Sequence, residues 1–173
     1  MKMIKASRLI LLHLLLGVLL CFGGNAFGRT LSVLVISATD EQQILQEAGI
    51  TRIGSHYKVA GCDDHLNVEL LPTDLNADGQ PEVILRVTGS PCFSGMMQSN
   101  VSIYVRSSQG KWQDTLGFVP AFGVQVQEAK IKGFSDVILP VLGGCDPLYR
   151  WAGSSYFYAA QVPAYDGAKC NQR

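Results

Sequence analysis

The sequence predicts a mainly β protein with one N-terminal helix. Most apolar runs are short, rich in β-branched and aromatic residues, and bounded by Gly, Ser and Pro, as strands and their turns are. A single stretch near residue 40 combines helical spacing of apolar residues with helix-end signals. In addition, the pattern of residues 79–92 recurs at residues 133–145, which predicts two sequence-repeated antiparallel β-sheet units.

The N-terminus has the features of a secretory signal peptide. Basic residues precede an apolar run over residues 9–22, which is shorter than the roughly 20 residues needed to span a bilayer. The predicted signal peptide covers residues 1–28 and leaves a single secreted or periplasmic domain over residues 29–173, without stable membrane insertion. An alternative is a lipoprotein anchored at Cys21, but Leu20 stands where a small residue is expected.

The predicted helix takes Thr39 as its N-cap, with Gln42 three residues later, and ends at Gly49. Acidic residues in its first turn suit the helix dipole. Its apolar side, which we expect to cover a sheet face, consists of Ile44, Leu45 and Ala48. Two strands follow, "HYKVAG" at 56–61 and "LNVELLPT" at 66–73, and they lead into a polar loop.

This loop, "DLNADGQPE", has an oxygen-bearing side chain at every second position and bends at Gly79. Ca²⁺ binds about six to eight oxygen atoms, which alternating carboxylates and amides on a curled loop can supply. The predicted calcium ligands are Asp74, Asn76, Asp78, the Gln80 carbonyl and Glu82. An EF-hand is excluded because Leu85 occupies the place of its final bidentate Glu. The same residue types also form ordinary polar turns, so a plain hairpin is the alternative.

The repeat aligns "GQPEVILRVTGSPC" with "GFSDVILPVLGGC" at an offset of 54 residues. It defines two units, at about residues 68–118 and 124–160. The continuous apolar run 83–87 predicts a strand buried on both faces, whereas the alternation over 101–106 predicts a half-exposed strand.

The stretch "DLNADGQPEVIL" resembles the D-x-[DN]-x-D-G-x-x-[DE] loop of FG-GAP and VCBS-type repeats, the calcium-binding blades of integrin-like propellers. The match is strict over this motif and loose over residues 68–160. The resemblance implies blade-like sheets and a calcium ion in the loop. The chain is also similar to small secreted bacterial proteins of unestablished function that share a second "GFSDVIL"-like unit, a "YRW-x-G-x-x-Y" segment and a C-terminal Cys.

The second unit departs from the calcium pattern. Its equivalent positions hold Glu128, Lys130 and Lys132, and lysines in place of ligands exclude a metal site there. Asp136, which aligns with Glu82, is expected to serve as a turn or capping carboxylate.

Four cysteines remain after removal of the signal peptide, and export favours two disulfides. No pair has C-x-x-C spacing, so a zinc ribbon or thioredoxin-like site is not supported. Because Cys92 and Cys145 occupy equivalent repeat positions, the preferred pairs are Cys92–Cys145 and Cys62–Cys170, the second tying down the C-terminal tail. The other pairings stay open.

Charge and motif content argue against several functions. The signal peptide contains three of the 14 basic residues and none of the 14 acidic ones, so the mature net charge is −3, which does not favour nucleic-acid binding. No G-x-S-x-G, H-E-x-x-H or Walker motif is present, and a non-enzyme is predicted. An aromatic group is expected to form core pairs or, alternatively, a partner surface: Trp112, Tyr149, Trp151, Tyr156, Phe157 and Tyr158.

The expected function is therefore non-catalytic binding of a protein or cell-envelope component, with a structural Ca²⁺ ion. One alternative is an inhibitor or immunity-type protein of a cell-envelope hydrolase, which would present residues 89–100, "GSPCFSGMMQSN", as a protruding loop. A less favoured alternative is a hydrolase that uses the local cluster Asp63, Asp64 and His65. The sequence makes no prediction about oligomeric state.

Overall fold

A computed structural model describes residues 34–62, 65–91 and 99–170. Within these ranges the chain is mainly β, with one N-terminal helix and three antiparallel sheets. The elements are α1 (Ala38–Glu47), β1 (Ile50–Ile53), β2 (His56–Val59), β3 (Asn67–Thr73), β4 (Glu82–Thr88), β5 (Ser99–Arg106), β6 (Trp112–Asp114), β7 (Val119–Pro120), β8 (Gln125–Ile131), β9 (Phe134–Ile138), β10 (Cys145–Trp151) and β11 (Tyr156–Pro163).

The helix α1 is N-capped by Ser37, so the predicted N-cap at Thr39 was two residues too late. The Ser37 hydroxyl accepts a hydrogen bond from the Asp40 backbone N–H at 3.1 Å, and the Asp40 carboxylate accepts one from the Ser37 N–H at 3.3 Å. Asp40 is therefore the acidic member of a capping box, and Gln42 has no part in it. The helix ends as predicted at Gly49, whose φ of +69° places it in the left-handed region.

Two larger sheets make up most of the structure. Sheet 1 has the strand order β3-β4-β5-β6, with β7 also pairing with β5. Sheet 2 has the order β11-β10-β9-β8. In both sheets, strands that are consecutive in the sequence are neighbours in space. The hairpin β1–β2 forms the third sheet.

Sheet 1 is the central layer of the protein. One of its faces packs against α1 through the buried side chains of Val83, Leu85 and Tyr104. The other face contributes Ile84 and Ile103 to a second core, which it shares with sheet 2. The prediction that residues 83–87 are buried on both faces is confirmed.

The expected half-exposed strand is in fact buried on both faces. The side chains of Ser102 and Tyr104, which were expected to face solvent, are completely buried. Tyr104 packs in the core that α1 covers, and the Ser102 hydroxyl donates a hydrogen bond to the Asp114 carboxylate of the neighbouring strand β6. The cover over Tyr104 therefore comes from a helix distant in the sequence.

The preferred cysteine pairing is wrong, because Cys145 is bonded to Cys170 with a Cα–Cα distance of 5.7 Å. Strand β11 ends at Pro163 directly opposite Cys145, so the tail that follows β11 starts beside this cysteine. Tethering of the tail by Cys170 is nevertheless as expected. Cys62 is also disulfide-bonded, but its partner is not among the described residues. Cys92 lies outside the described residues too.

The turn that precedes β9 is much shorter than the loop that precedes β4. Lys132 and Gly133, with φ values of +52° and +90°, connect β8 to β9 directly. Asp136 lies within β9 and is 3% exposed, and its carboxylate pairs with the Arg150 guanidinium at 2.9 Å. The prediction of a turn or capping carboxylate was therefore wrong for Asp136, which is a buried ion-pair partner.

Replacement of Tyr104 by Phe is expected to stabilise the protein. The Tyr104 hydroxyl is buried and has no hydrogen-bond partner among the described residues. Since an unsatisfied buried polar group costs about 1–3 kcal/mol, Tyr104→Phe should raise the free energy of unfolding by about 1 kcal/mol in denaturant titrations.

Tyr156→Phe is a matched control for this substitution, because the Tyr156 hydroxyl donates to the Ser135 carbonyl at 3.0 Å. This control should lose about 1 kcal/mol. Equal destabilisation by the two substitutions would show that the Tyr104 hydroxyl is hydrogen-bonded, and would contradict the prediction.

Candidate calcium loop

The loop between β3 and β4 curls around the Asp74 carboxylate. One Asp74 oxygen accepts hydrogen bonds from the backbone N–H groups of Ala77 at 2.6 Å and Asp78 at 3.2 Å, and the other accepts from Gly79 at 3.1 Å. Ala77 and Gly79 both have positive φ, at +63° and +81°. The chain therefore turns sharply at both residues, and the backbone N–H groups of residues 77–79 converge on the Asp74 carboxylate.

Asn76 connects two of the predicted ligands. Its Nδ2 group donates to the Asp78 carboxylate at 2.9 Å and to the Glu82 carboxylate at 3.1 Å. Its Oδ1 atom accepts from the Asp78 N–H at 2.9 Å, and Asp78 in turn accepts from the Gln80 N–H at 2.7 Å. The structure thus brings the side chains of Asn76, Asp78 and Glu82 into direct contact.

Glu82 is the most buried ionisable group of the loop, at 4% exposure. It begins β4, and its carboxylate accepts a hydrogen bond from the Leu75 N–H at 2.7 Å. Burial raises the pKa of Glu82 to about 7. The hydrogen bond from Leu75 lowers this pKa, whereas the negative charges of Asp78 and Asp74 raise it further. No Lys or Arg among the described residues forms an ion pair with it.

The donor set of the loop consists only of oxygen atoms and carries an excess of negative charge, which is the chemistry that Ca²⁺ requires. One Asp74 oxygen accepts two backbone hydrogen bonds, but the other Asp74 oxygen and both Asp78 oxygens accept one hydrogen bond each, which leaves each of these three a lone pair for a cation. Within the described ranges, no three His, Cys, Asp or Glu side chains converge as a preformed metal cluster. Asn76 is one reason that the carboxylates do not converge, since its amino group lies between those of Asp78 and Glu82 and donates a hydrogen bond to each.

A cavity of about 600 Å³ opens beside the loop and reaches the N-terminal end of α1 and the end of β5. Asp40 and Arg106 line it and form an ion pair at 2.6 Å, with the Arg106 guanidinium 4.5 Å from the centre of the Trp112 ring. Burial opposes ionisation of Asp40, but hydrogen bonds from Trp112, Ser37 and Arg106 outweigh it and lower its pKa to about 2. This arrangement was not predictable from the sequence, because no local motif links Asp40 with Arg106.

The aromatic residues do not form one surface. Trp112 packs beneath α1, on the opposite side of sheet 1 from the other five. Trp151 and Tyr156 are buried between the sheets with ring centres 5.3 Å apart, which confirms the expectation of core pairs for them. Phe157 and Tyr158 are exposed.

Two alternative sites fall partly outside the described residues. Of the local cluster 63–65, the structure describes only His65, which is exposed and stacks on His56. Of the candidate inhibitory loop 89–100, residues 92–98 are not described.

Among the residues that the structure covers, no helix is long and apolar enough to cross a membrane.

The Cys145–Cys170 disulfide is consistent with an extracellular or periplasmic location. Comparison of the chain with protein-family models, with curated proteins and with solved structures finds no significant match in any of the three. The function is therefore inferred from the chain's own geometry.

Proposed function

We propose that the protein is a secreted or periplasmic, non-catalytic binding domain in which the loop 74–82 holds a structural Ca²⁺ ion. The observation that carries the proposal is Glu82, a buried carboxylate beside two further acids and without an ion-pair partner among the described residues. Buried charges in proteins are normally paired or bound to metal. A calcium ion would supply the missing positive charge.

The second repeat unit supports this interpretation. Asp136 aligns with Glu82 in the sequence and is equally buried, but the Arg150 guanidinium balances its charge at 2.9 Å. In the part of the first unit that the structure describes, no Lys or Arg forms an ion pair with Glu82. Instead, the Asn76 amino group, with only a partial positive charge, contacts both Asp78 and Glu82. Ca²⁺ would take over this role, with the Asn76 amide offering its oxygen atom as a ligand.

We also infer that the two sheets are two copies of one FG-GAP/VCBS-like unit. Each contains a four-stranded antiparallel meander in chain order, β3 to β6 and β8 to β11, and sheet 1 has β7 as an additional strand beside β5. Gly79 and Gly133 occupy aligned positions before the second strand of each unit, and both have positive φ. The aligned residues Val83 and Val137 also pack in corresponding ways. Val83, in sheet 1, packs against α1, and Val137, in sheet 2, packs against sheet 1. In both units the valine therefore faces the element that comes earlier in the sequence.

Exposed apolar side chains support a binding role for the end opposite the calcium loop. Phe122, Leu142 and Tyr165 are 47%, 69% and 65% exposed and come from three separate connections. The Phe122 N–H bonds the Pro140 carbonyl at 2.9 Å, which joins two of these connections. A group of exposed apolar side chains at one end of a domain is typical of sites that bind a protein or an envelope component.

A thermal melt of the oxidised protein tests the calcium site. At about 10 mM Ca²⁺ and a Kd near 10⁻⁴ M, as in many extracellular calcium modules, binding should stabilise the native state by about 2.7 kcal/mol. The melting temperature should then rise by about 5–10 °C relative to chelator. Asp78→Ala should abolish the rise, because it removes a ligand from an exposed position of the loop.

Asp166→Ala is the matched control, since Asp166 is an exposed acid in the tail. It should respond to Ca²⁺ like the unmodified protein. If Ca²⁺ leaves the melting temperature unchanged, or if Asp78→Ala responds normally, the loop is an ordinary polar hairpin.

A further inference from the structure

The only two histidines among the described residues lie side by side on the surface. His56 begins β2 and His65 precedes β3, and an antiparallel bridge between Tyr57 and Leu66 brings these positions onto the same face. The two imidazole rings are stacked, with centres 4.3 Å apart and planes 8° from parallel. Both side chains are exposed.

The ring nitrogens of this pair are available to a ligand. Within the described ranges, neither imidazole takes part in a hydrogen bond or an ion pair. Two nitrogens bound tetrahedrally to one metal ion at about 2.0–2.1 Å lie roughly 3.4 Å apart. The rings are nearly parallel, so their in-plane lone pairs lie in parallel planes, and each exposed ring must rotate out of the stack to direct one nitrogen at a shared ion. The distance of 4.3 Å between the ring centres shows that both side chains reach the same point of the surface.

We propose that His56 and His65 form a surface site for a divalent transition-metal ion. Neutral imidazole suits Cu²⁺, Ni²⁺ and Zn²⁺ and is a poor ligand for Ca²⁺, which prefers oxygen. The pair is therefore a second metal site, separate from the calcium loop in its donor atoms. For a given nitrogen site, Cu²⁺ binds most tightly of these ions, so the probe is Cu²⁺. Water completes the coordination, since the pair supplies only two ligands.

Cu²⁺ titration of the purified, oxidised protein tests the site, with electron paramagnetic resonance as the readout. Coordination by two nitrogens is expected in the unmodified protein, and by at most one in His56→Asn and in His65→Asn. Because loss of even an outer-shell partner of a metal ligand costs about tenfold in affinity, each substitution should weaken Cu²⁺ binding by at least about tenfold. Asn preserves polarity at these exposed positions, and a thermal melt checks that each variant is folded.

Two controls separate this site from other metal binding. Lys58→Gln changes a half-buried residue of β2 that is not a proposed ligand, and should leave the two-nitrogen signal intact. Asp78→Ala should abolish the calcium response without changing Cu²⁺ binding, so failure of one proposal is distinguishable from failure of the other. Unchanged Cu²⁺ affinity in both histidine variants, or a signal without two nitrogens in the unmodified protein, would overturn the proposal and leave the pair as a packing contact.

Discussion

Removal of the Cys145–Cys170 disulfide should lower the free energy of unfolding by about 3.5 kcal/mol. The bond joins residues 25 positions apart, and the chain-entropy model assigns about this value to a loop of that length. For a domain of this size, the melting temperature should fall by about 10 °C. The double variant Cys145→Ser/Cys170→Ser leaves no free thiol from this pair, and differential scanning calorimetry measures the change.

Lys169→Ser is the control for the tail itself, because Lys169 is exposed and adjacent to Cys170. It should leave the melting temperature unchanged. A drop below about 2 °C in the double variant would mean that the tail contributes little to global stability, since such a shift corresponds to less than about 1 kcal/mol.

The disulfide also illustrates what the sequence could and could not predict. Export and an even number of cysteines correctly indicated a disulfide that tethers the tail. The choice of partner depended on where β11 ends, and this follows from the pairing of Pro163 with Cys145. Such a register is set by contacts across strands and has no local signal.

Most strands were predictable because their residues carry strong local preferences. The apolar run 83–87 indicated a strand buried on both faces, and this was correct. Strand β1 was not predicted, because "ITRI" is short and its alternation is weak. The burial of Tyr104 was also missed, since α1, which covers it, lies about 60 residues earlier in the sequence.

The spacing of the candidate calcium ligands could be read from the sequence, but the electrostatics of the loop could not. Residue types at alternate positions indicate where ligands can converge. They do not reveal that Glu82 is buried, or that Arg150 balances the aligned Asp136. The contact between His56 and His65 was likewise invisible, because it arises from the Tyr57–Leu66 bridge.

In metal-free buffer, the unmodified protein should lose stability as the pH rises from 4.5 to 7, because Glu82 ionises. The variant Glu82→Gln should not show this loss. The unfolded chain releases the Glu82 proton near pH 4.5, whereas the folded protein keeps it until about pH 7. Between these values the folded state holds one more proton, so stability falls as the pH rises. The rise of the Glu82 pKa from 4.5 in the unfolded chain to about 7 in the folded protein corresponds to about 3 kcal/mol. The free energy of unfolding falls by this amount as the pH rises, and the fall is complete above pH 7.

The substituted glutamine does not titrate, and its carbonyl oxygen can still accept the Leu75 hydrogen bond. At pH 8 without metal, the variant should therefore be more stable than the unmodified protein by up to about 3 kcal/mol in denaturant titrations. Glu128→Gln, which removes an exposed carboxylate from β8, should retain the pH dependence of the unmodified protein.

Saturating Ca²⁺ should reverse the order of stability. A bound cation favours the ionised form of Glu82, so the charge that destabilises the metal-free protein becomes a ligand. The unmodified protein then gains stability at pH 8, while Glu82→Gln, which lacks this charge, gains much less. If the variant is less stable without metal, Glu82 is already ionised in its hydrogen-bonded position. If Ca²⁺ stabilises both proteins equally, Glu82 is not a ligand, and the argument from its unbalanced charge fails even if the rest of the loop binds calcium.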